Sequence, residues 1–309
     1  METRPLNDVT VIGLGPMGLA LADLMLKSGK RINLWNRSAA KAQALLARGA
    51  TLAGTPSQAI ASSPVTLICV YDYQAADAIL HADDVPAALN GKLIINLGTG
   101  GPEEVKRLAA HVHDCGARYL DGAIQAAPSQ MGTDDTPLLV SGPASCFAQA
   151  LPLLRILAGN PIHLGEKIED AACMDLATLS HVYGAYAGFL HGARVAEASG
   201  IDVATYGRLV NSMASSFGAF FEHQAGVIAA ADFSISESPL RISVPAVRRI
   251  LTESQRLGLN TDLPALMDRW LRLAQTAGMM DEELAALIRV LRPQEHLSSV
   301  PGRGPAIPA

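Results

Sequence analysis

Only four cysteines occur in 309 residues, and no two of them stand in a C-x-x-C spacing. That excludes a thiol-built zinc site and a C-x-x-C redox pair, so Cys69, Cys115, Cys146 and Cys173 read as reduced, mostly buried thiols of a cytoplasmic protein. The eight histidines form no H-E-x-x-H or comparable set, and no metal is expected. His111 and His113 alternate as residues of a helix surface do. No segment supplies the roughly 18 unbroken apolar residues of a membrane span. The opening M-E-T-R-P-L-N-D lacks the apolar core of a signal peptide. Basic residues are scattered, 24 Lys and Arg against 29 Asp and Glu, without runs or interleaved aromatics. A nucleic-acid surface is thereby excluded. What remains is an ordinary globular composition, 49% hydrophobic with a formal charge of −5, long enough for two cores.

Within that composition one motif stands out. Residues 9–18 read V-T-V-I-G-L-G-P-M-G, a short apolar run that predicts a buried parallel strand. Gly13, Gly15 and Gly18 then form G-x-G-x-x-G. The first glycine permits a tight turn, the second lets backbone approach a pyrophosphate, and the third lets the next helix pack on the strand. Pro16 suits the first turn of that helix, where its missing N–H costs nothing. Leu14 and Met17 complete the turn, and the helix N-terminus offers free N–H groups to phosphates. A helix over 17–27 and a second strand over 31–35 provide the context that the motif requires.

The end of the second strand indicates which dinucleotide. An NAD site places Asp or Glu there for the ribose 2′-hydroxyl, whereas an NADP site accepts a 2′-phosphate. Residues 35–38 are Trp35, Asn36, Arg37 and Ser38, without an acid, and Lys41 follows. Taken alone, Lys41 reads equally well as a solvated helix face. Beside Asn36, Arg37 and Ser38 it reads as part of a phosphate site, and the expected cofactor is NADPH.

Strand and helix patterns alternate to about residue 165. Helices are predicted over 39–48, 73–80, 103–115 and 144–157, and strands over 65–70, 92–96, 119–124, 137–140 and 161–164. This alternation predicts a Rossmann-type, doubly wound, mainly parallel sheet. Ligands of such sheets sit beyond the strand carboxyl ends, which makes Val70 and Tyr71, and Asn96 and Gly98, candidate cofactor contacts. Beyond Gly165 the strand signals stop. A long helix over 169–199 contains Gly184, Gly188 and Gly192 in steps of four, a stripe that permits close helix packing. Its length suggests a partner subunit. Further helices are predicted over 203–225, 244–257, 263–277 and 281–291, with Gly200, Gly258 and Gly278 at helix ends. The predicted organisation is a dinucleotide-binding domain over 1–166, a long interdomain helix over 167–199, an all-helical domain over 200–292, and a flexible tail over 293–309.

A substrate site is expected where the sheet domain meets the long helix. Asp175 stands there among small and apolar neighbours, with Tyr183 two turns later and Leu179 and Val182 between. Periodicity leaves Asp175 open between a solvated or capping acid and a site carboxylate, and Tyr183 open between a core aromatic and a site residue.

The segments G-L-G-P-M-G, W-N-R-S-A-A-K and Y-L-D-G-A-I-Q-A-A-P resemble the β-hydroxyacid dehydrogenase superfamily, and more closely its imine reductase and reductive aminase branch. The resemblance extends from Val9 to about Leu291. In the hydroxyacid enzymes a serine–glycine–glycine run binds the substrate carboxylate, and a lysine opening the long helix is the acid/base. Here Gln125-Ala126-Ala127 replaces the first and Asp175 the second. An aspartate repels a substrate carboxylate and attracts an iminium, so the resemblance implies NADPH-dependent reduction of C=N, with Asp175 stabilising or protonating the iminium. It further implies that Tyr183 positions the substrate, that Asn96 lies near both the nicotinamide ribose and the substrate, and that Gln125, Ala126 and Leu179 touch the substrate. Ser215-Ser216-Phe217 stand where some reductive aminases place a tryptophan, so preformed cyclic imines are the expected substrates. The resemblance implies a homodimer with shared active sites. Two other readings remain at this point: a hydroxyacid-type dehydrogenase with an altered acid/base, and a non-catalytic NADP-binding redox sensor.

Overall fold

The computed structural model describes residues 8–292; the predicted 293–309 tail and the residues ahead of Asp8 lie outside it. Strands β1 (Val9–Ile12), β2 (Ile32–Trp35), β3 (Thr51–Leu52), β4 (Val65–Ile68), β5 (Leu93–Asn96), β6 (Arg118–Ile124), β7 (Pro137–Ser141) and β8 (Asn160–His163) form one sheet. Their order is β3-β2-β1-β4-β5-β6-β7-β8, and every pair is parallel except β6 with β7. β1, β4 and β5 are buried at every residue, as strands covered on both faces must be.

The helices of this part are α1 (Pro16–Lys27), α2 (Gln43–Leu46), α3 (Pro56–Ala61), α4 (Tyr73–Leu80), α5 (Val85–Leu89), α6 (Pro102–Asp114) and α7 (Ala144–Leu157). α8 (Asp170–Ala198) follows, within a residue of the predicted long helix at each end. Two cores sandwich the sheet. One carries Leu21, Met25, Leu34, Leu67 and Leu154, and the other Ile68, Leu80, Ile94, Val105 and Leu108.

The chain divides into two compact units between His181 and Val182. The second is helical: α9 (Val203–Ala230), α10 (Leu240–Arg256), α11 (Asp262–Thr276) and a 3-10 stretch, Leu284–Leu291, around a core of Leu240, Leu271, Ala274, Met279 and Ala286.

Several local expectations need correction. The predicted 281–291 helix begins only at Leu284 and is 3-10. The N–H groups of Glu283 and Leu284, which an earlier start would leave without helical partners, instead donate to Phe233 O and Ser238 O at 2.9 and 2.8 Å. The predicted 39–48 helix is a 3-10 turn, Ala39–Ala42, followed by α2. β3, α3 and α5 are too short to leave a periodic signature. α9 runs past Gly226 to Ala230, and α10 starts four residues early with Pro245 near its N-terminal end. Of the four thiols only Cys146 is buried; Cys173 is exposed. In the glycine stripe only Gly192 meets a close neighbour within the chain: a Cβ there would collide with the Tyr206 ring. Gly184 and Gly188 open onto space. Gly200, Gly258 and Gly278 do take the left-handed conformation at helix ends.

Candidate active site

The glycine turn between β1 and α1 has the shape of a dinucleotide cradle. Gly13 has φ +95°, and a Cβ there would lie 2.2 Å from Cys69 O. A Cβ on Gly18 would lie 1.9 Å from Gly13 O, so the helix is drawn onto the turn as the third glycine of the motif requires. Gly15 differs from both. A Cβ there meets nothing within 4 Å, and as N-cap of α1 it leaves the first turn without a side-chain cap. Open space in front of uncapped N–H groups is what a pyrophosphate needs. Leu14 is buried in the core and Pro16 and Met17 begin α1.

Asn36 links this turn to the end of β2. Its Oδ1 accepts from Leu14 N at 2.9 Å, and its Nδ2 donates to Ser38 O at 2.9 Å. Arg37, Ser38 and Lys41 are exposed around it. At the end of β4, Val70 is half-buried and Tyr71 is 93% exposed, while Asp72 caps α4 by accepting from Ala75 N at 2.8 Å. At the end of β5, Asn96 is fully buried and its Oδ1 accepts from Gly98 N at 3.1 Å.

Asp175 lies on the first part of α8, which β7 anchors. Ser141 Oγ donates to Ile168 O at 2.6 Å and accepts from Ala171 N at 3.1 Å, satisfying one orphan donor of the first turn. Asp175 is 8% exposed. Gln125 Nε2 donates to its Oδ1 at 2.6 Å, and Thr178 Oγ1 lies 2.9 Å from both Gln125 Oε1 and the Asp175 carbonyl. Gln125, expected on the substrate, is therefore first a partner of the carboxylate. Ala126 packs on the sheet core, and Leu179 is half-buried on α8. Gln125 and Ala126 also line a cavity of about 260 Å³ together with Ser129, Gln130 and Thr133. Tyr183 belongs to the second unit and is 68% exposed.

A buried acid that periodicity did not single out lies behind this site. Asp121 of β6 is 2% exposed and accepts from the Tyr73 hydroxyl of α4, which lies 3.1 Å from the Tyr119 hydroxyl. Burial pushes the Asp121 carboxyl up to about 7; the charge of Asp175 adds to this, and the Tyr73 hydrogen bond opposes it. Burial likewise holds Tyr73 and Tyr119 above the usual phenol range. The alternation Tyr119, Asp121 within an apolar strand was the available signal: it places a phenol and an acid on one buried face.

Residues 8–165 match the NAD binding domain of 6-phosphogluconate dehydrogenase, and residues 168–293 match the C-terminal domain of NADPH-dependent reductive aminase-like proteins. An NADPH-dependent reductive aminase of Aspergillus oryzae is 32% identical over 292 residues, 92% of this chain and 97% of that protein. An imine reductase from Myxococcus stipitatus in complex with NADP+ superposes with a TM-score of 0.86 at 29% identity, over 92% of this chain and all of the other. A reductive aminase from Aspergillus terreus, in complex with NADPH4, cyclohexanone and allyl amine, gives 0.85 at 31% identity, over 93% of this chain and all of the other. Among the described residues no cluster of His, Cys, Asp or Glu could hold a metal ion, and no helix is long and apolar enough to cross a membrane.

Proposed function

The chain belongs to the family of NADPH-dependent reductive aminases and imine reductases, and we propose that it reduces a cyclic imine or iminium with Asp175 as the group that receives the cationic nitrogen. NADPH supplies hydride to the carbon of the C=N bond. The C=N π pair becomes the nitrogen lone pair, so an iminium leaves as a neutral amine with its N–H proton retained. A neutral imine must first take a proton, and the Asp175 carboxyl gives or relays it. The observation that carries this reading is a buried carboxylate at the head of α8, held by an amide rather than neutralised by a bidentate cation. In a low-dielectric site such a group favours positive charge on nitrogen where it develops.

The cofactor roles follow from the cradle. Gly13, Gly15 and Gly18, with Leu14, Pro16 and Met17, receive the pyrophosphate. Arg37, Ser38 and Lys41 receive the 2′-phosphate, and Asn36 holds the two segments together. Val70, Tyr71, Asn96 and Gly98 line the nicotinamide end. Asn96, Gln125, Ala126 and Leu179 border the substrate, and Tyr183 orients its nitrogen. The protein works as a homodimer with shared active sites. The open faces of Gly184 and Gly188, and the exposure of Val182, Tyr186, Phe217 and Phe221 in the helical unit, support a second copy as their cover.

The test follows NADPH absorbance with five- and six-membered cyclic imines. Asp175→Asn and Asp175→Ala are expected to lower kcat/KM by roughly 10²–10⁴. Retention within a few-fold refutes the role of Asp175. Turnover of 3-hydroxy acids with NADP+, without turnover of any imine, refutes the substrate class.

A further inference from the structure

β6 presents its odd-numbered residues to α8: Tyr119 shares a core with Ala172, and Ala123 packs with Ala171. Continuing that alternation past the strand end brings Gln125 level with the next turn of α8, where Asp175 and Thr178 stand three residues apart on one face. The result is a short chain of hydrogen bonds. Thr178 Oγ1 to Gln125 Oε1 is 2.9 Å, and Gln125 Nε2 to Asp175 Oδ1 is 2.6 Å.

We propose that Gln125 and Thr178 are positioning residues that commit Oδ1 of Asp175 to a hydrogen bond and leave Oδ2 as the oxygen that holds the reaction's proton. The proposal rests on the role given to Asp175 above. A primary amide has a donor end and an acceptor end. In the observed orientation the donor end faces the carboxylate and the acceptor end takes the threonine hydroxyl. Turning the amide over would oppose Oε1 to Oδ1 of an ionised Asp175, whereas the threonine hydroxyl, which also lies 2.9 Å from the Asp175 carbonyl, can either donate to or accept from the amide. The carboxylate charge thus selects the observed orientation, and the hydroxyl holds the far end of the amide in place. With an N–H directed at Oδ1, a proton on that oxygen would oppose another hydrogen, so the proton of a protonated Asp175 resides on Oδ2. Asp121 of β6 lies close enough for its charge and that of Asp175 to interact; it accepts from the Tyr73 hydroxyl, which stands beside that of Tyr119, and Ser141 of β7, paired with Asp121, does not titrate.

The test uses the full-length enzyme, a cyclic imine and kcat and KM profiles from pH 5 to 9. Thr178→Val is expected to lower kcat about 3- to 10-fold with little change in KM, the loss of one hydrogen bond's worth of positioning. Thr178→Ser, which keeps the hydroxyl, restores it. Gln125→Glu sets two carboxyl groups against each other, one of which must stay protonated. A limb of the kcat–pH profile is then expected to move up by a unit or more relative to the parent enzyme. Wild-type kcat and profile in Thr178→Val and Gln125→Leu, with Asp175→Asn inactive, overturn the clamp while leaving the role of Asp175 standing. Asp175→Asn at wild-type activity instead overturns that role itself. Should Gln125→Leu fail to fold, the isosteric Gln125→Glu still decides: an unmoved limb overturns the proposal.

Discussion

Replacing Glu283 by glutamine should destabilise the helical unit by an amount that depends on pH. Glu283 is fully buried. Its carboxylate accepts from Ser236 N, Glu237 N and Ser238 N at 2.8, 2.8 and 3.1 Å, from Ser236 Oγ at 3.1 Å, and from Gln224 Nε2 at 3.0 Å. Burial alone would raise its pKa. The N–H groups of Glu237 and Ser236, the Gln224 amide and the N–H of Ser238 outweigh that, and hold it down to about 2 from 4.5. A depressed acid stabilises the fold above its unfolded pKa, and that stability is lost as pH falls through the folded value. The shift corresponds to roughly 3 kcal/mol at pH 7, shrinking to about 1 kcal/mol at pH 3. The Glu283→Gln side chain would keep the shape but neither titrate nor accept from all these donors. Urea unfolding at fixed protein concentration, followed by Trp270 fluorescence in a Trp35→Phe background, isolates the unit. The stability gap between the parent and its Glu283→Gln variant should be about 3 kcal/mol at pH 7 and less than half of that at pH 3. A gap that is equal at both values, or below about 0.5 kcal/mol at pH 7, refutes the reasoning.

Other expectations concern the sheet domain. Arg37→Ala should raise KM for NADPH about tenfold while leaving NADH nearly unchanged, as the loss of one charged phosphate contact implies; equal effects on both cofactors refute the 2′-phosphate contact. Gly15→Ala should fold normally, since a methyl meets nothing there, yet bind NADPH weakly because it occupies the phosphate's approach. Gly18→Ala should melt well below wild type because its methyl strikes backbone; thermal melts with and without NADPH distinguish the two. Asp121 has a folded pKa above its unfolded one, so its contribution to stability falls as pH rises from about 4 to about 7. Asp121→Asn should therefore gain on wild type across that window and run level above it in pH-dependent unfolding; a difference independent of pH refutes the raised carboxyl.

What the sequence determined by itself is the machinery written in consecutive residues. The cradle from Val9 to Gly18, the acid-free end of β2, the alternation that builds the sheet and the unbroken long helix all have their cause within a turn or two of chain. Glycine conformations, strand burial and helix period act locally, and the pattern reports them. Asp175 was legible as an oddity, a carboxylate among apolar neighbours, although its neighbourhood was not. Only tertiary structure decided what surrounds it. Gln125 reaches Asp175 across 50 positions, Thr178 reaches Gln125 across 53, and Tyr73 reaches Asp121 across 48. The Glu283 carboxylate gathers the 236–238 loop from 45 to 47 positions away, and so turns an expected helix start into a 3-10 segment. Hydrogen bonds of this kind depend on which strand end faces which helix turn, and nothing in the local period of either segment records that pairing.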